Sequence, residues 1–140
     1  MSKKTHNKKI SLTSSISQGT KISAPELIEI ESFNHPIFCF KHLHKDHNLD
    51  KCIDDEKRAL IEQIVKLSQL TWNDIQLSRR HGLGSEKIRR KSIKPSIPVF
   101  ITEDVDFFLA LRYDGKKAMI GYRNRFIFHL IYIDRNHTVY

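Results

Sequence analysis

The stretch that decides the fold lies between Phe107 and Asp134 and has the sequence FFLALRYDGKKAMIGYRNRFIFHLIYID. Its β-branched and aromatic residues form runs that are separated by turn-favouring residues, Asp114-Gly115 and Asn124. An Asp-Gly pair between such runs is typical of a tight hairpin, because glycine adopts the positive φ angles that the turn requires. The stretch therefore predicts a meander of three antiparallel strands, at residues 107–113, 117–123 and 126–134.

Two helices are predicted before these strands. Between residues 54 and 70 the apolar positions recur at helical spacing behind an acidic start, which favours a helix. Thr71 and Asp74 have the spacing of a capping box, so a second helix is expected to begin there. Its last turn should contain residues 79–81, with Gly82 as the stop.

The predicted elements define an α+β fold. A strand is expected at residues 36–43 and a shorter one at 27–33, whereas Pro-containing residues 82–98 are expected to form a loop. The sheet would then be antiparallel, built from the three-strand meander and an N-terminal strand, and packed against the two helices. One domain, 25–140, would follow a flexible basic tail, 1–24.

Both alternating faces of the last predicted strand are apolar, with Phe126, Phe128 and Leu130 on one face and other aliphatic residues on the second. This pattern predicts cover on both sides of the sheet. We expect the helices on one side, and the N-terminal segment or a second subunit of a homodimer on the other.

The chain carries a surplus of positive charge. Its 140 residues include 24 Lys and Arg against 16 Asp and Glu, a formal charge of +8. Such a surplus favours polyanions, and we expect contact with nucleic acid or with an acidic partner protein. No apolar run approaches the roughly 18 residues of a membrane helix and no secretion signal is visible, so a cytoplasmic protein without membrane contact is expected.

The stretch 39–52, CFKHLHKDHNLDKC, raises the question of a metal site. A zinc site needs about four nitrogen or sulfur ligands that converge on one point. In an extended strand Cys39 would point away from His42 and His44, so the set is divided. We expect no metal here and interpret Cys39 and Cys52 as small apolar residues. A site built on the two histidines and completed by a neighbouring residue remains the alternative.

Basic residues outside this stretch occur in two groups. The first follows the second helix into the Pro-bounded loop, where each contact with a phosphodiester backbone would add affinity by counterion release. The second lies on the meander and the residues that follow it, and we expect its cations to gather on one exposed face of the sheet. The predicted nucleic-acid contacts from the two groups are Arg80, His81, Lys87, Arg89, Arg90 and Arg125.

The second group has the side chains that RNA cleavage requires. The reaction needs a base near the 2′-hydroxyl, cationic support for the phosphorane and an acid for the leaving oxygen. Arg112 and Arg123 are predicted to bind the phosphate or transition state, and His137 or Tyr140 to transfer protons, without a metal or cofactor. His129 lies on an apolar strand face, and a buried, hydrogen-bonded histidine fits that position at least as well as a catalytic one.

The order of strand, two helices and a basic antiparallel meander ending in Val139-Tyr140 resembles the RelE/ParE superfamily of bacterial toxins, over residues 36–140. The resemblance implies either metal-free cleavage of messenger RNA, as in the RelE branch, or action on gyrase, as in ParE members, and an antitoxin as partner. Arg112 and Gly115 match the family's strand arginine and turn glycine. Residue 118 is alanine, however, and the next arginine is Arg123.

Two functions from different classes are therefore compatible with the sequence. The first is a RelE-like, metal-independent endoribonuclease, or mRNA interferase. The second is a non-catalytic basic protein that binds nucleic acid or an acidic partner. New RNA termini formed in the presence of EDTA would distinguish the first from the second.

Overall fold

The computed structural model describes residues 34–79 and 83–140. The described part of the chain forms one five-stranded sheet and two α-helices. In chain order the elements are β1 (Ile37–Cys39), α1 (Asp54–Ser68), α2 (Trp72–Leu77), β2 (Ser85–Arg89), β3 (Phe107–Asp114), β4 (Lys117–Asn124) and β5 (Ile127–Asp134). The predicted α+β class is confirmed, and each meander strand agrees with its predicted bounds to within one residue. The predicted tail, 1–24, and the predicted strand 27–33 lie outside the described residues.

The sheet has the order β1-β5-β4-β3-β2 and is mixed rather than antiparallel. β1 runs parallel to β5, with Ile37 opposite Ile127 and Cys39 opposite His129. The prediction of a wholly antiparallel sheet is therefore wrong at β1. An alternating pattern identifies a strand equally well in either direction, and the long connection between β1 and β5 permits a parallel pair.

Strand β1 is also shorter than predicted, because it ends at Cys39 rather than at residue 43. The argument that an extended strand directs Cys39 away from His42 and His44 therefore loses its premise. The chain turns at residues 41 and 42, so the histidines follow a different path from the strand.

The predicted loop 82–98 contains a strand, β2, which pairs antiparallel with β3 at one edge of the sheet. In its sequence, SEKIR, only Ile88 is buried. Edge strands rich in charged residues are common because charge discourages pairing with other chains. The strand thus owes its formation to pairing with β3, a contact that its own composition does not indicate.

The helix starts follow the predicted chemistry. Thr71 Oγ1 accepts from Asp74 N, and Asp74 Oδ2 accepts from Thr71 N, each over 3.1 Å. The capping box is therefore confirmed. The helix ends earlier than predicted, because Ser78 is extended (ψ 157°) and Arg79 lies beyond the last turn. Residues 80–82 are outside the described ranges.

The two faces of the sheet have different covers. On one face the indole of Trp72 donates to Phe126 O over 2.9 Å and packs against Phe128, so the helices cover this side. On the other face the cover within the described ranges comes from the β2–β3 loop and from the residues after β5. The predicted N-terminal segment lies outside the described residues up to residue 33, and the second subunit stays a prediction. The buried cluster on this second face is Ile88, Ile93, Ile101, Phe108, Ala110, Ala118, Ile120, Ile131, Tyr132 and Val139. We call these the helix-covered and loop-covered faces.

A β-bulge on β5 lies beside Gly121. Ile120 is opposite Tyr132 while Gly121 is opposite Leu130, so Ile131 is the additional residue. A Cβ at Gly121 would lie 2.0 Å from His129 O, which is far inside van der Waals contact. Glycine is therefore required where the bulge brings the two backbones together.

None of the helices in the described ranges is long and apolar enough to span a bilayer.

Candidate active site

Three side chains from separate segments form a hydrogen-bonded triangle at the sheet. Arg112 Nη2 donates to Glu86 Oε2 over 3.1 Å and to Tyr140 Oη over 2.9 Å. The Tyr140 hydroxyl donates to Glu86 Oε2 over 3.3 Å. A carboxylate acceptor, a fixed positive charge and a phenol thus lie within hydrogen-bonding distance of one another.

The strand register brings Glu86 and Arg112 together. Glu86 of β2 is opposite Ala110 of β3. Side chains two residues apart on a strand share a face, so Arg112 lies diagonally across from Glu86. Arg112 Nη1 also donates to Lys116 O in the following hairpin turn, which holds the guanidinium from a second direction.

Tyr140 is positioned by the contacts of the segment after β5. Asp134 accepts hydrogen bonds from Thr138 N over 2.9 Å and from Val139 N over 3.2 Å. The side chain of Val139 is completely buried in the cluster on the loop-covered face. Its carbonyl accepts from Lys94 N over 2.8 Å. These contacts hold the segment against the sheet, so Tyr140 lies beside Arg112.

His137 is the fourth member of the group. Its ring lies 5.0 Å from the ring of Tyr140, edge to face. Its φ angle of 55° is unusual for a residue other than glycine. The structure therefore brings together three of the four residues predicted as catalytic, Arg112, His137 and Tyr140.

The surroundings of Tyr140 favour the protonated form of its phenol. Burial raises the pKa of the Tyr140 hydroxyl, an effect that Arg112 opposes and Glu86 reinforces. The side chain of Arg112 is only 7% exposed, and its buried Nε has no hydrogen-bond partner among the described residues. An unsatisfied buried donor is unfavourable and recurs at catalytic positions.

Arg112 also borders an open cavity of about 450 Å³. Lys66 of α1 also lines this cavity and gives its wall a positive charge. The other residues of its wall are Gln63, Leu83, Tyr113, Asp114 and Gly115.

Arg123, the fourth predicted catalytic residue, lies on the opposite face of the sheet. Arg112 is opposite Ala118 in the β3–β4 pair, and Arg123 is an odd number of residues beyond Ala118 on the same strand. Its guanidinium carbon lies 4.3 Å from the centre of the Trp72 ring, and Nε donates to Arg125 O over 2.6 Å. The expectation that the cations of the meander gather on one face is therefore wrong for this pair.

The predicted nucleic-acid contacts have different environments. Lys87 and Arg89 are exposed on β2, and Arg125 is exposed in the turn between β4 and β5. Arg90 instead donates to backbone carbonyls of the β2–β3 loop, including Thr102 O over 2.6 Å, so its guanidinium has a structural role. Arg80 and His81 lie outside the described residues.

Two histidines, His42 of the stretch 39–52 and His129 of β5, pack on the loop-covered face. The ring of His42 stacks on Phe100 at 3.8 Å, and His129 lies 5.6 Å from Phe100. His129 is partly buried, and its Nδ1 has no hydrogen-bond partner in the described chain. The expected hydrogen bond could therefore involve only Nε2. Burial lowers the pKa of His129, and the nearby His42 lowers it further.

His44 links the same stretch to the loop. Its Nε2 lies 3.0 Å from Ser96 Oγ, and its Nδ1 accepts from Asp46 N over 3.1 Å. Across residues 34–79 and 83–140, no group of three or more His, Cys, Asp or Glu side chains has an arrangement that could hold a metal ion. Cys39 and Cys52 are both free thiols, and Cys52 is buried.

Glu86 is the site residue that the sequence reasoning missed. It lies in the run SEKIRRK, where the prediction of a loop gave it no defined direction. The available signal was an acidic residue two positions before the apolar Ile88, which places both on one face of a strand. That signal has meaning only once β2 is known to be a strand.

Comparisons with known proteins find no matching family model, no matching curated protein and no matching solved structure.

Proposed function

We propose that the chain is a metal-independent endoribonuclease of the RelE-like kind, with its reacting site at Glu86, Arg112, Tyr140 and His137. The observation that carries the proposal is the hydrogen-bonded triangle of carboxylate, guanidinium and phenol. These groups can supply the base, the cationic support and the acid that cleavage of RNA by its own 2′-hydroxyl requires.

Each residue has a role that follows from its chemistry. Glu86 is the acceptor for the proton of the 2′-hydroxyl as its oxygen attacks the adjacent phosphorus. Arg112 supports the negative charge that develops on the phosphorane oxygens. Tyr140 or His137 donates a proton to the departing 5′-oxygen. The new bond joins the 2′-oxygen to phosphorus, the bond to the 5′-oxygen breaks, and the products carry a 2′,3′-cyclic phosphate and a 5′-hydroxyl.

One feature of the surroundings supports this assignment. The contacts of Asp134 and Val139 hold Tyr140 before any substrate arrives, and such preorganisation is a main source of catalysis in charge-stabilising sites. Arg123 is excluded from the proposed site because the sheet separates it from Arg112.

The proposal is tested by incubating the purified chain with single-stranded RNA in EDTA and mapping the new termini. The wild type is expected to produce 2′,3′-cyclic phosphate ends. Glu86→Gln and Tyr140→Phe keep the size of each side chain, and Glu86→Gln is expected to lower the cleavage rate by about 100-fold or more. A comparable loss in Tyr140→Phe would assign the leaving-group proton to Tyr140, and a loss below about tenfold would assign it to His137.

A circular dichroism spectrum equal to that of the wild type is the control that the variants fold. Wild-type rates in folded Glu86→Gln protein would remove Glu86 from the reaction. A wild-type protein that leaves the RNA intact would remove the enzymatic proposal altogether.

The second candidate is a non-catalytic protein that holds nucleic acid or an acidic partner. The exposed Lys87 and Arg89 on the edge strand favour it, because cations on an accessible edge bind polyanions without any reaction. RNA binding that weakens steeply with salt, without new termini, would select this candidate over the nuclease.

A further inference from the structure

A second cavity lies where β2 passes into the following turn. Its volume is about 640 Å³, within the range of about 300–1,000 Å³ that small-molecule pockets occupy. Its wall combines cations, one carboxylate and one aromatic ring, and its members are Arg89, Arg90, Lys91, Ile97, Asp106 and Phe107. None of these side chains belongs to the triangle described above.

The aromatic member is unusually accessible. Phe107 is 48% exposed at the start of β3, directly opposite Arg89 of β2. Lys87 Nζ lies 5.8 Å from the centre of the Phe107 ring. Exposed aromatic rings beside cations are typical of sites for single-stranded nucleic acid, because a base stacks on the ring while its phosphate meets the cations.

Arg90 is held by hydrogen bonds to the backbone of the cavity wall, whereas two other cations of the wall are accessible. The guanidinium of Arg90 donates to the carbonyls of Thr102 and Val105, and its backbone N–H donates to Asp106 O over 2.7 Å. Arg89 and Lys91 are exposed on either side of it. A wall that is already held in place loses little entropy when a ligand binds.

The carboxylate indicates which base fits. Asp106 is exposed at the cavity and can only accept hydrogen bonds. Guanine presents two adjacent donors, N1–H and the 2-amino group, on its Watson–Crick edge, and these match the two oxygens of a carboxylate. Adenine and cytosine present one amino donor beside an acceptor, and uracil presents one N–H between two carbonyls.

We propose that this cavity is a subsite for one unpaired nucleotide of RNA, with guanine as the preferred base. The base stacks on Phe107, its edge faces Asp106, and Arg89 and Lys91 hold its phosphate. The inference rests on RNA as the proposed substrate. Glu86 precedes Arg89 by three residues, about 10 Å along β2 at ~3.3 Å per residue. The odd spacing directs the two side chains to opposite faces, so an RNA strand that reaches both passes around the edge of the sheet at β2.

Binding is measured with the full chain and fluorescent heptamers built entirely of 2′-O-methyl nucleotides, with guanosine, adenosine, cytidine or uridine at the centre and uridine at the other six positions. The 2′-O-methyl group prevents cleavage, so affinity is read independently of the reaction. The guanosine heptamer is expected to bind about tenfold more tightly than the others. Phe107→Ala is expected to weaken it by about tenfold, as loss of one stacked base does, and Asp106→Asn to remove the preference for guanine.

Matched controls exist for each change. Phe100 is a similarly exposed phenylalanine, 41%, outside the cavity, and Arg58 is an exposed arginine on α1. Arg89→Ala is expected to lower the slope of log affinity against log salt by about 0.7, the value for one phosphate contact on a single strand. Phe100→Ala and Arg58→Ala are expected to leave the guanine preference unchanged, and Arg58→Ala to lower the slope by less than Arg89→Ala does.

Equal affinity for the four heptamers, or wild-type affinity in Phe107→Ala, would overturn the subsite. These results are separable from a failure of the proposed function. A chain that cleaves RNA but binds independently of Phe107 keeps the nuclease and loses the subsite. A chain that leaves RNA intact but prefers guanine through Phe107 and Asp106 keeps the subsite and loses the nuclease.

Discussion

Arg112 and Arg123 are the same residue type and lie on neighbouring strands of one meander, yet their surroundings differ in kind. Arg112 is paired with Glu86 and hydrogen-bonded to Tyr140. Arg123 lies over the ring of Trp72 and bonds only to a backbone oxygen among the contacts described for it. The first has partners that can exchange protons, whereas the second has an aromatic face that stabilises a charge without any chemistry.

The comparison shows that a candidate site is distinguished from other basic positions by the residues that contact the cation, and not by the charge of the cation. Arg135 extends the comparison to a third environment. It forms an ion pair with Glu56, Nη2 to Oε1 2.7 Å, and Glu56 also meets Lys117 at 3.5 Å. Glu56 is 2% exposed, so its carboxylate is closed to substrate and the ion pair stabilises the fold.

The largest expected difference between the two faces is in catalysis. Arg112→Lys retains the charge but loses the geometry of the guanidinium, so RNA cleavage is expected to fall by about 100- to 1,000-fold. Arg123→Lys makes the same chemical change on the opposite face and is expected to stay within about threefold of the wild type, because no reacting group is near. Cleavage rates in EDTA measure both, and equal losses would abolish the distinction.

The next difference is in stability and concerns the two carboxylates. Glu56→Gln leaves Arg135 and Lys117 without their buried partner, and the free energy of unfolding is expected to fall by about 3 kcal/mol. Glu86 is 25% exposed, and Arg112 keeps its bonds to Tyr140 and to Lys116 O, so Glu86→Gln is expected to cost less, about 1.5 kcal/mol. Urea denaturation at pH 7 measures both, and a larger loss in Glu86→Gln would reverse the assignment of roles.

The ion pair of Glu56 and Arg135 should also make the stability of the protein depend on pH. The hydrogen bonds from Arg135 lower the pKa of Glu56 from 4.5 to about 2, against an opposing effect of burial. A carboxyl whose pKa is lower in the folded state stabilises the protein above its unfolded pKa. The stabilisation should therefore be complete above pH 4.5 and decline toward pH 2. Glu56→Gln should lack this component of the decline, as thermal melts across that range would record.

A smaller effect is expected from the helix-covered face. Arg123→Ala removes the cation from the ring of Trp72 and is expected to lower the free energy of unfolding by about 1 kcal/mol, the scale of a partly exposed cation–π contact. Trp72 fluorescence should report the changed surroundings of the indole. Loss of RNA cleavage in this variant, with stability unchanged, would contradict the separation of the faces.

The smallest expected effect on stability concerns His129 on the loop-covered face, at pH values near neutral. Burial, with a further contribution from His42, lowers the pKa of His129 from 6.5. His129 is therefore protonated more readily in the unfolded chain than in the folded chain. Its contribution to the free energy of unfolding should be fully present above pH 6.5 and decrease as the pH falls below that value. His129→Gln should flatten that part of the profile relative to the wild type.

The meander shows how much of the architecture was predictable. Alternation of apolar residues and the turn at Asp114-Gly115 are local properties, and so is the capping box of Thr71 and Asp74. These features were predicted with nearly correct bounds. Strand β2 was not, because SEKIR contains a single apolar side chain and becomes a strand only through its pairing with β3.

The candidate site was predictable only in its residue types. Arg112, His137 and Tyr140 were selected as cations and proton donors, and the structure brings them together. Arg123 was selected for the same reasons, and the parity of β4 directs it away. Glu86 was missed because its partner lies on another strand, and no pattern within residues 82–98 reveals that neighbour.

The amino-acid sequence by itself determined the strands of the meander, the helix starts and the basic character of the chain. These depend on interactions between residues close in the chain, or on composition alone. Only the tertiary structure decided that β1 runs parallel to β5, that Arg112 and Arg123 face opposite sides, and that Glu86 meets Tyr140 across 54 positions. The physical reason is that strand direction, pairing and parity after a bulge depend on contacts between distant segments, which no local pattern of side chains specifies.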